Sequence, residues 1–107
     1  MGESDETLMQ KFKDGDERTF MEIMRRYQHK IFNFFLRQLH DYALSEDLTQ
    51  DVFIRVYKYG QSFDNKRSFK PWLYKIAQVM NSSESTIKSR LYQAFIKLRK
   101  KLKKFRR

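Results

Sequence analysis

An all-α fold is predicted by three features of the 107-residue chain. Apolar residues recur at spacings of three and four almost throughout, the period of a helix with one buried stripe. Only three glycines and one proline interrupt that pattern. No run alternates apolar with polar residues as a half-buried strand would. Forty per cent apolar and 16% aromatic residues suffice for a packed core, yet the length fits one small domain rather than two full-sized ones.

Five helices account for the spacing. Leu8, Met9 and Phe12 form a short opening helix, broken at the "DGD" of residues 14–16. Phe20, Ile23, Met24, Tyr27, Ile31, Phe34 and Phe35 make one broad stripe on a long second helix that ends near His40-Asp41. In the third, Leu44, Leu48, Val52 and Val56 stand four apart, with Asp41 or Ser45 as a cap and Gly60 as the stop. The polar loop "QSFDNKRSF" follows. Ser68 can cap a fourth helix carrying Phe69, Trp72, Leu73, Ile76 and Met80. Pro71 falls in its first turn, where a missing N–H does little harm. "NSS" at 81–83 reads as a turn, and a fifth helix from Glu84 sets Ile87, Leu91, Leu98, Leu102 and Phe105 on one side.

Charge is divided between the halves. Residues 1–51 hold 7 Lys/Arg against 11 Asp/Glu, a net of −4, whereas residues 52–107 hold 16 against 2, a net of +14. This polarity predicts two partners of different character, with a polyanion at the C-terminal half. Residues 97–107, "KLRKKLKKFRR", concentrate eight cations in eleven positions. Such a helix suits a polyanion or a membrane surface.

Several classes are excluded at this level. Without cysteine there is no disulfide or thiolate metal site. No apolar run approaches the roughly 18–20 residues that span a bilayer. The acidic start is unlike a signal peptide, and Glu6 breaks a myristoylation pattern. The expectation is a soluble, cytoplasmic protein. His29 and His40 lie far apart with no HExxH spacing, and no glycine-rich phosphate loop is present. Asp47 and Asp51 stand one turn apart, but without a histidine or third acid they read as a solvated face. No enzyme, cofactor or metal is expected.

Two segments carry function instead. On the helix "YALSEDLTQDVFIRVYKY" the row Asp47, Gln50, Asp51, Ile54 and Lys58 is offset from the apolar row. Its acids suit a partner presenting arginines, which carboxylates bind in a bidentate fashion. The segment "SEDLTQDVFIRVYKYGQSFD", followed by "SFKPWLYKIA", closely resembles region 2 of bacterial RNA polymerase sigma factors of the small extracytoplasmic-function type. The likeness runs from near Leu8 to Ala77. It implies that Asp47, Leu48, Gln50, Asp51 and Phe53 bind core RNA polymerase. It also implies that the loop "SFDNKRSFK" captures an unpaired base of the promoter −10 element. Phe63, Asp64, Asn65, Lys66, Arg67 and Lys70 are the matching residues, Asn65 and Asp64 for base edges and the cations for phosphates. Phe63 and Phe69 can equally anchor the loop, and Trp72 falls beside Leu73 and Ile76 as a core residue.

A second likeness follows at once. "VMNSSESTIKSRLYQAFIKLRKKL" has a helix-turn-helix pattern and is similar to sigma region 4.2, the reader of the −35 element. Ser85, Thr86, Lys88, Ser89, Arg90, Tyr92 and Gln93 match that reader's DNA-facing or backbone-holding positions. The helices that normally separate the two regions are missing. The chain thus divides into 1–77, a region 2-like domain, and 78–107, a partial helix-turn-helix. A natural deletion, a degenerate or engineered product, or residues absent between 77 and 78 all fit the junction. The resemblance implies a transcription initiation factor that recognises and melts the −10 element, with core polymerase, promoter DNA and an anti-sigma factor as partners. Two alternatives are a decoy that holds polymerase or an anti-sigma factor without supporting initiation, and a free-standing helix-turn-helix repressor.

Overall fold

In a computed structural model of the chain, residues 2–82 and Leu98 are described. Four α-helices and one 3-10 turn make up the described residues. The expected fifth helix, its seven DNA-facing residues from Ser85 to Gln93 and the basic tail lie outside them, Leu98 excepted.

Helix α1, Asp5–Lys13, is capped by Ser4, whose hydroxyl accepts the Thr7 N–H at 3.1 Å. Gly15 then takes φ +106 to turn the chain, a conformation a side chain would resist. Asp16 accepts the Arg18 N–H at 3.1 Å as α2, Arg18–Leu39, begins. At its far end His40 adopts the left-handed conformation and its N–H closes on the Leu36 carbonyl at 2.9 Å. Asp41 caps α3, Tyr42–Tyr59, by accepting the Leu44 N–H at 3.0 Å. The break at 14–16, the end at His40 and the Asp41 cap are those read from the sequence; the Ser4 cap was not.

The buried stripes also match. Leu8, Met9 and Phe12 of α1 meet Ile23, Tyr27, Ile31 and Phe35 of α2, and α3 adds Leu44, Leu48, Val52, Phe53 and Val56. Ser45 and Thr49 are buried in α3 as well, each hydroxyl bonded to the carbonyl four residues earlier, at 2.6 and 2.7 Å. Helix α4, Phe69–Ser82, closes the core with Phe69, Leu73, Ala77 and Met80.

One expectation needs correction. Asn81 and Ser82 are not in a turn but continue α4. The Ser82 hydroxyl donates to the Gln78 carbonyl at 2.8 Å, so its local polar bonding is met within the helix. The helix also passes through 77/78 without a break.

Gly60 does end α3, but for a different reason from chain breaking. Its φ of −58 is open to any residue. A Cβ there would stand 3.0 Å from Phe12 Cε2 and 3.1 Å from Met9 Cε. The glycine lets the 3-10 turn Gly60–Ser62 lie directly on α1. Gly60→Val should therefore overpack this contact and cost about 1–3 kcal/mol, measured as a lower urea midpoint with unchanged slope.

Candidate polymerase and nucleic-acid interfaces

The loop between α3 and α4 is built on three rings. Phe63 is 2% exposed, and its ring centroid lies 5.7 Å from Phe69 and 5.0 Å from Trp72, with Phe69 and Trp72 5.7 Å apart. Beyond this anchor the tip is closed locally. Asp64 accepts the Lys66 N–H through its carboxylate at 3.0 Å and the Arg67 N–H through its carbonyl at 2.9 Å, an Asx-type turn.

Between the tip and the first turns of α4 opens a cleft of about 530 Å³, lined by Ser62, Phe63, Asp64, Arg67, Ser68, Pro71, Trp72 and Lys75. The walls combine an indole, a carboxylate, two hydroxyls and two cations. A neighbouring cleft of about 350 Å³ shares Trp72 and Lys75 and adds Arg55, Tyr59, Ile76 and Val79. Trp72 is half-buried rather than fully core. Residues 72, 75, 76 and 79 form a stripe at helical spacing that borders both clefts. That spacing was visible in the sequence, but the indole beside Leu73 and Ile76 suggested burial, and Lys75 stood out only as one cation among many.

Of the loop residues expected to meet DNA, Asp64 and Arg67 line the cleft, and Lys66 and Lys70 are exposed nearby. Two are placed otherwise. Phe63 forms the cleft floor and cannot leave to stack on a base without opening the core. Asn65 has its amide occupied: Nδ2 donates to the Glu6 carbonyl, and Oδ1 accepts from Lys13 Nζ at 3.2 Å. Both amide atoms are thereby engaged with α1.

On α3, Gln50 and Asp51 are exposed and Asp47 is half-buried. Leu48 and Phe53, expected at the same interface, are 3% and 2% exposed. Leu48 belongs to the core because it continues the fourfold apolar row. Phe53 is buried too, though its ring floors an apolar cleft of about 410 Å³ between α2 and α3. Phe20, Met24, Gln50, Ile54, Tyr57 and Lys58 line the rest. Phe20 and Met24 extend the α3 face onto α2; the sequence showed them only as part of the broad core stripe. Phe12, Phe20 and Tyr57 support this edge as a ring triangle with centroids 5.3–5.4 Å apart.

Although Asp51 is exposed, partial desolvation by its neighbours raises its carboxyl above the ordinary 3.8, and Asp47 pushes the same way against the opposing pull of Arg55. Arg55, one turn on, borders the Trp72 cleft. The acidic ridge and the loop clefts are thus adjacent on α3, neither covering the other. Among the described residues there is no group of three or more His, Cys, Asp or Glu placed to hold a metal. No helix among them is long and apolar enough to cross a membrane.

A helical bundle whose polar loop opens onto an aromatic, cationic cleft defines the class, and comparison with known families agrees: residues 23–80 match Sigma-70 region 2. The chain belongs to the sigma-70 family, of the extracytoplasmic-function type. It is 36% identical over 75 residues to the RNA polymerase sigma-H factor of Pseudomonas aeruginosa, covering 70% of this chain and 39% of that protein. It is 42% identical over 65 residues to the ECF RNA polymerase sigma factor SigW of Bacillus subtilis, covering 61% and 35%. The chain thus spans less than two fifths of the length of these curated relatives. A solved engineered region 2 of sigmaE in complex with GTAAAA superposes with a TM-score of 0.73 at 32% identity, over 84% of this chain and 96% of that one.

The raised Asp51 carboxyl has a signed consequence. A folded-state pKa above the unfolded one means that the folded chain binds the proton more tightly, so stability falls as pH rises from the ordinary value through the raised one. Asp51→Asn should therefore be more stable than wild type at pH 7, by less than about 1 kcal/mol after solvent screening. Thermal melts should show the difference closing near pH 3.

Proposed function

We propose that this chain is the polymerase-docking and −10-recognition part of a transcription initiation factor. The observation that carries the reading is the 530 Å³ cleft, which sets the Trp72 ring, the Asp64 carboxylate and the Arg67 and Lys75 cations around one opening. An unpaired base can stack on an indole, and its exocyclic amine can donate to a carboxylate, while the cations take the flanking phosphates. Flipping a base out of a duplex costs a few kcal/mol, and stacking at ~1–3 kcal/mol per base offsets much of it. Lys66 and Lys70 extend the phosphate track beside the cleft. The solved sigmaE relative in complex with GTAAAA supports single-stranded DNA as the ligand class.

Docking on core RNA polymerase is assigned to Asp47, Gln50 and Asp51, with Ile54 and the α2–α3 cleft as the apolar part of the contact. Desolvation of Asp51 supports this role: a carboxylate held above its ordinary pKa is at a disadvantage until a guanidinium partner arrives. Residues 78–107 would add −35 or non-specific duplex contact through Ser85, Thr86, Lys88, Ser89, Arg90, Tyr92 and Gln93. Melting of promoter DNA by this chain, and regulation by an anti-sigma factor, belong to the same proposal. In vitro transcription separates initiation from a decoy role, since a decoy binds polymerase without yielding a promoter-specific transcript.

Fluorescence anisotropy with labelled GTAAAA tests the cleft. Lys75→Ala should weaken binding and reduce the slope of log affinity against log salt by about 0.7, one single-strand phosphate contact. Asp51→Arg should leave this affinity nearly unchanged while reducing capture of core polymerase. An unaltered slope counts against the cleft, and unaltered capture counts against the ridge.

A further inference from the structure

Helix α1 precedes the residues that match Sigma-70 region 2, yet four hydrogen bonds join it to the base-capture loop. Lys13 Nζ donates to the Phe63 carbonyl at 2.8 Å and to Asn65 Oδ1 at 3.2 Å. Asn65 Nδ2 donates to the Glu6 carbonyl. The Glu6 carboxylate accepts the Phe69 N–H at 2.7 Å, from 63 residues away in sequence. The two ends of α1 therefore hold both ends of the loop, at 63 and at 69, and Asn65 between them. The helix is itself fixed to α2, because Asp5 accepts from Arg26 Nη1 at 3.0 Å and from the Tyr27 hydroxyl.

We propose that α1 is a splint for the loop, with Glu6, Lys13 and Asn65 as positioning residues that hold Asp64 and Arg67 in the binding geometry before DNA arrives. This rests on the reading of the loop cleft as a single-stranded DNA site. Three considerations support it. The contacts are spent on the segment whose tip carries Asp64 and Arg67, whereas the aromatic anchor below already satisfies packing. All three positioning side chains bind inward and leave the cleft lining to other residues. A loop ordered in advance loses less conformational freedom on binding, so affinity rises without any new contact to the ligand.

Glu6 allows a test in which two explanations have opposite signs. Removing an acid near a polyanion site strengthens binding if only charge matters. If Glu6 holds the loop, its loss weakens binding. With the full chain and labelled GTAAAA, Glu6→Leu should lower affinity about tenfold with the salt slope unchanged. Glu6→Gln retains a carbonyl acceptor for the Phe69 N–H and should restore wild-type affinity or better. Lys13→Met provides an independent break at the other end and should also leave the salt slope unchanged, since Lys13 then touches no phosphate.

Amide hydrogen exchange judges the splint without DNA. In Glu6→Leu and Lys13→Met the Lys66 and Arg67 amides should exchange at least about tenfold faster, while core amides such as Ile31 and Val52 stay protected. Unchanged loop exchange, or tighter DNA binding by Glu6→Leu, overturns the splint. If wild type itself fails to bind GTAAAA while the loop exchange responds as stated, the reading of the cleft fails and the mechanical role of α1 stands.

Discussion

The proposed DNA-binding surface of this protein depends on Phe63 staying buried. A nine-residue polar segment with three cations, residues 62–70, has little of its own to hold it in one shape. The Phe63 ring ties it down against Phe69 and Trp72, and burial of an aromatic side chain contributes about 1.5–3 kcal/mol at that single point. Once the ring is seated, short-range bonds from Asp64 close the tip, and bonds from Lys13 and Glu6 of α1 tie its two ends. The cleft then follows from placement: the indole is fixed from below, and Arg67 and Lys75 reach its rim from two different elements.

The same arrangement separates the two jobs assigned to the chain. Helix α3 shows α2 a cleft lined by Gln50, Ile54, Tyr57 and Lys58, and shows α4 another lined by Arg55 and Tyr59. The acidic row lies between. One rigid helix can thus offer one flank to the proposed protein partner and border the proposed nucleic-acid site on the other. Asp51 and Arg55, one turn apart and electrically coupled, mark the border.

Much of this was legible in the amino-acid sequence because it depends on local chemistry. The helix start at Asp41, the end at His40 and the fourfold row from Leu44 to Val56 are decided within a few residues. The family likeness from near Leu8 to Ala77 likewise rests on contiguous residues. What escaped was the burial or occupancy of individual side chains by distant partners. Asn65 looks like a base reader until Lys13 and Glu6 are seen on its amide, 52 and 59 residues away. Gly60 looks like a helix stop until Phe12 and Met9 are seen against it. Trp72 looks like core because its sequence neighbours are, although only part of its ring is covered. Periodicity identifies a face but does not say which long-range partner already occupies it.

The central claim is that single-stranded DNA enters the loop and α4 clefts while the acidic ridge of α3 remains free for polymerase. Solution NMR of the full chain, titrated with unlabelled GTAAAA, tests it most directly. Amide and side-chain shifts should move at Asp64, Arg67, the Trp72 indole and Lys75, with Asp47, Gln50 and the Glu46 end of α3 unmoved. Shifts centred on that acidic row, or none at the indole at saturating DNA, would contradict the account.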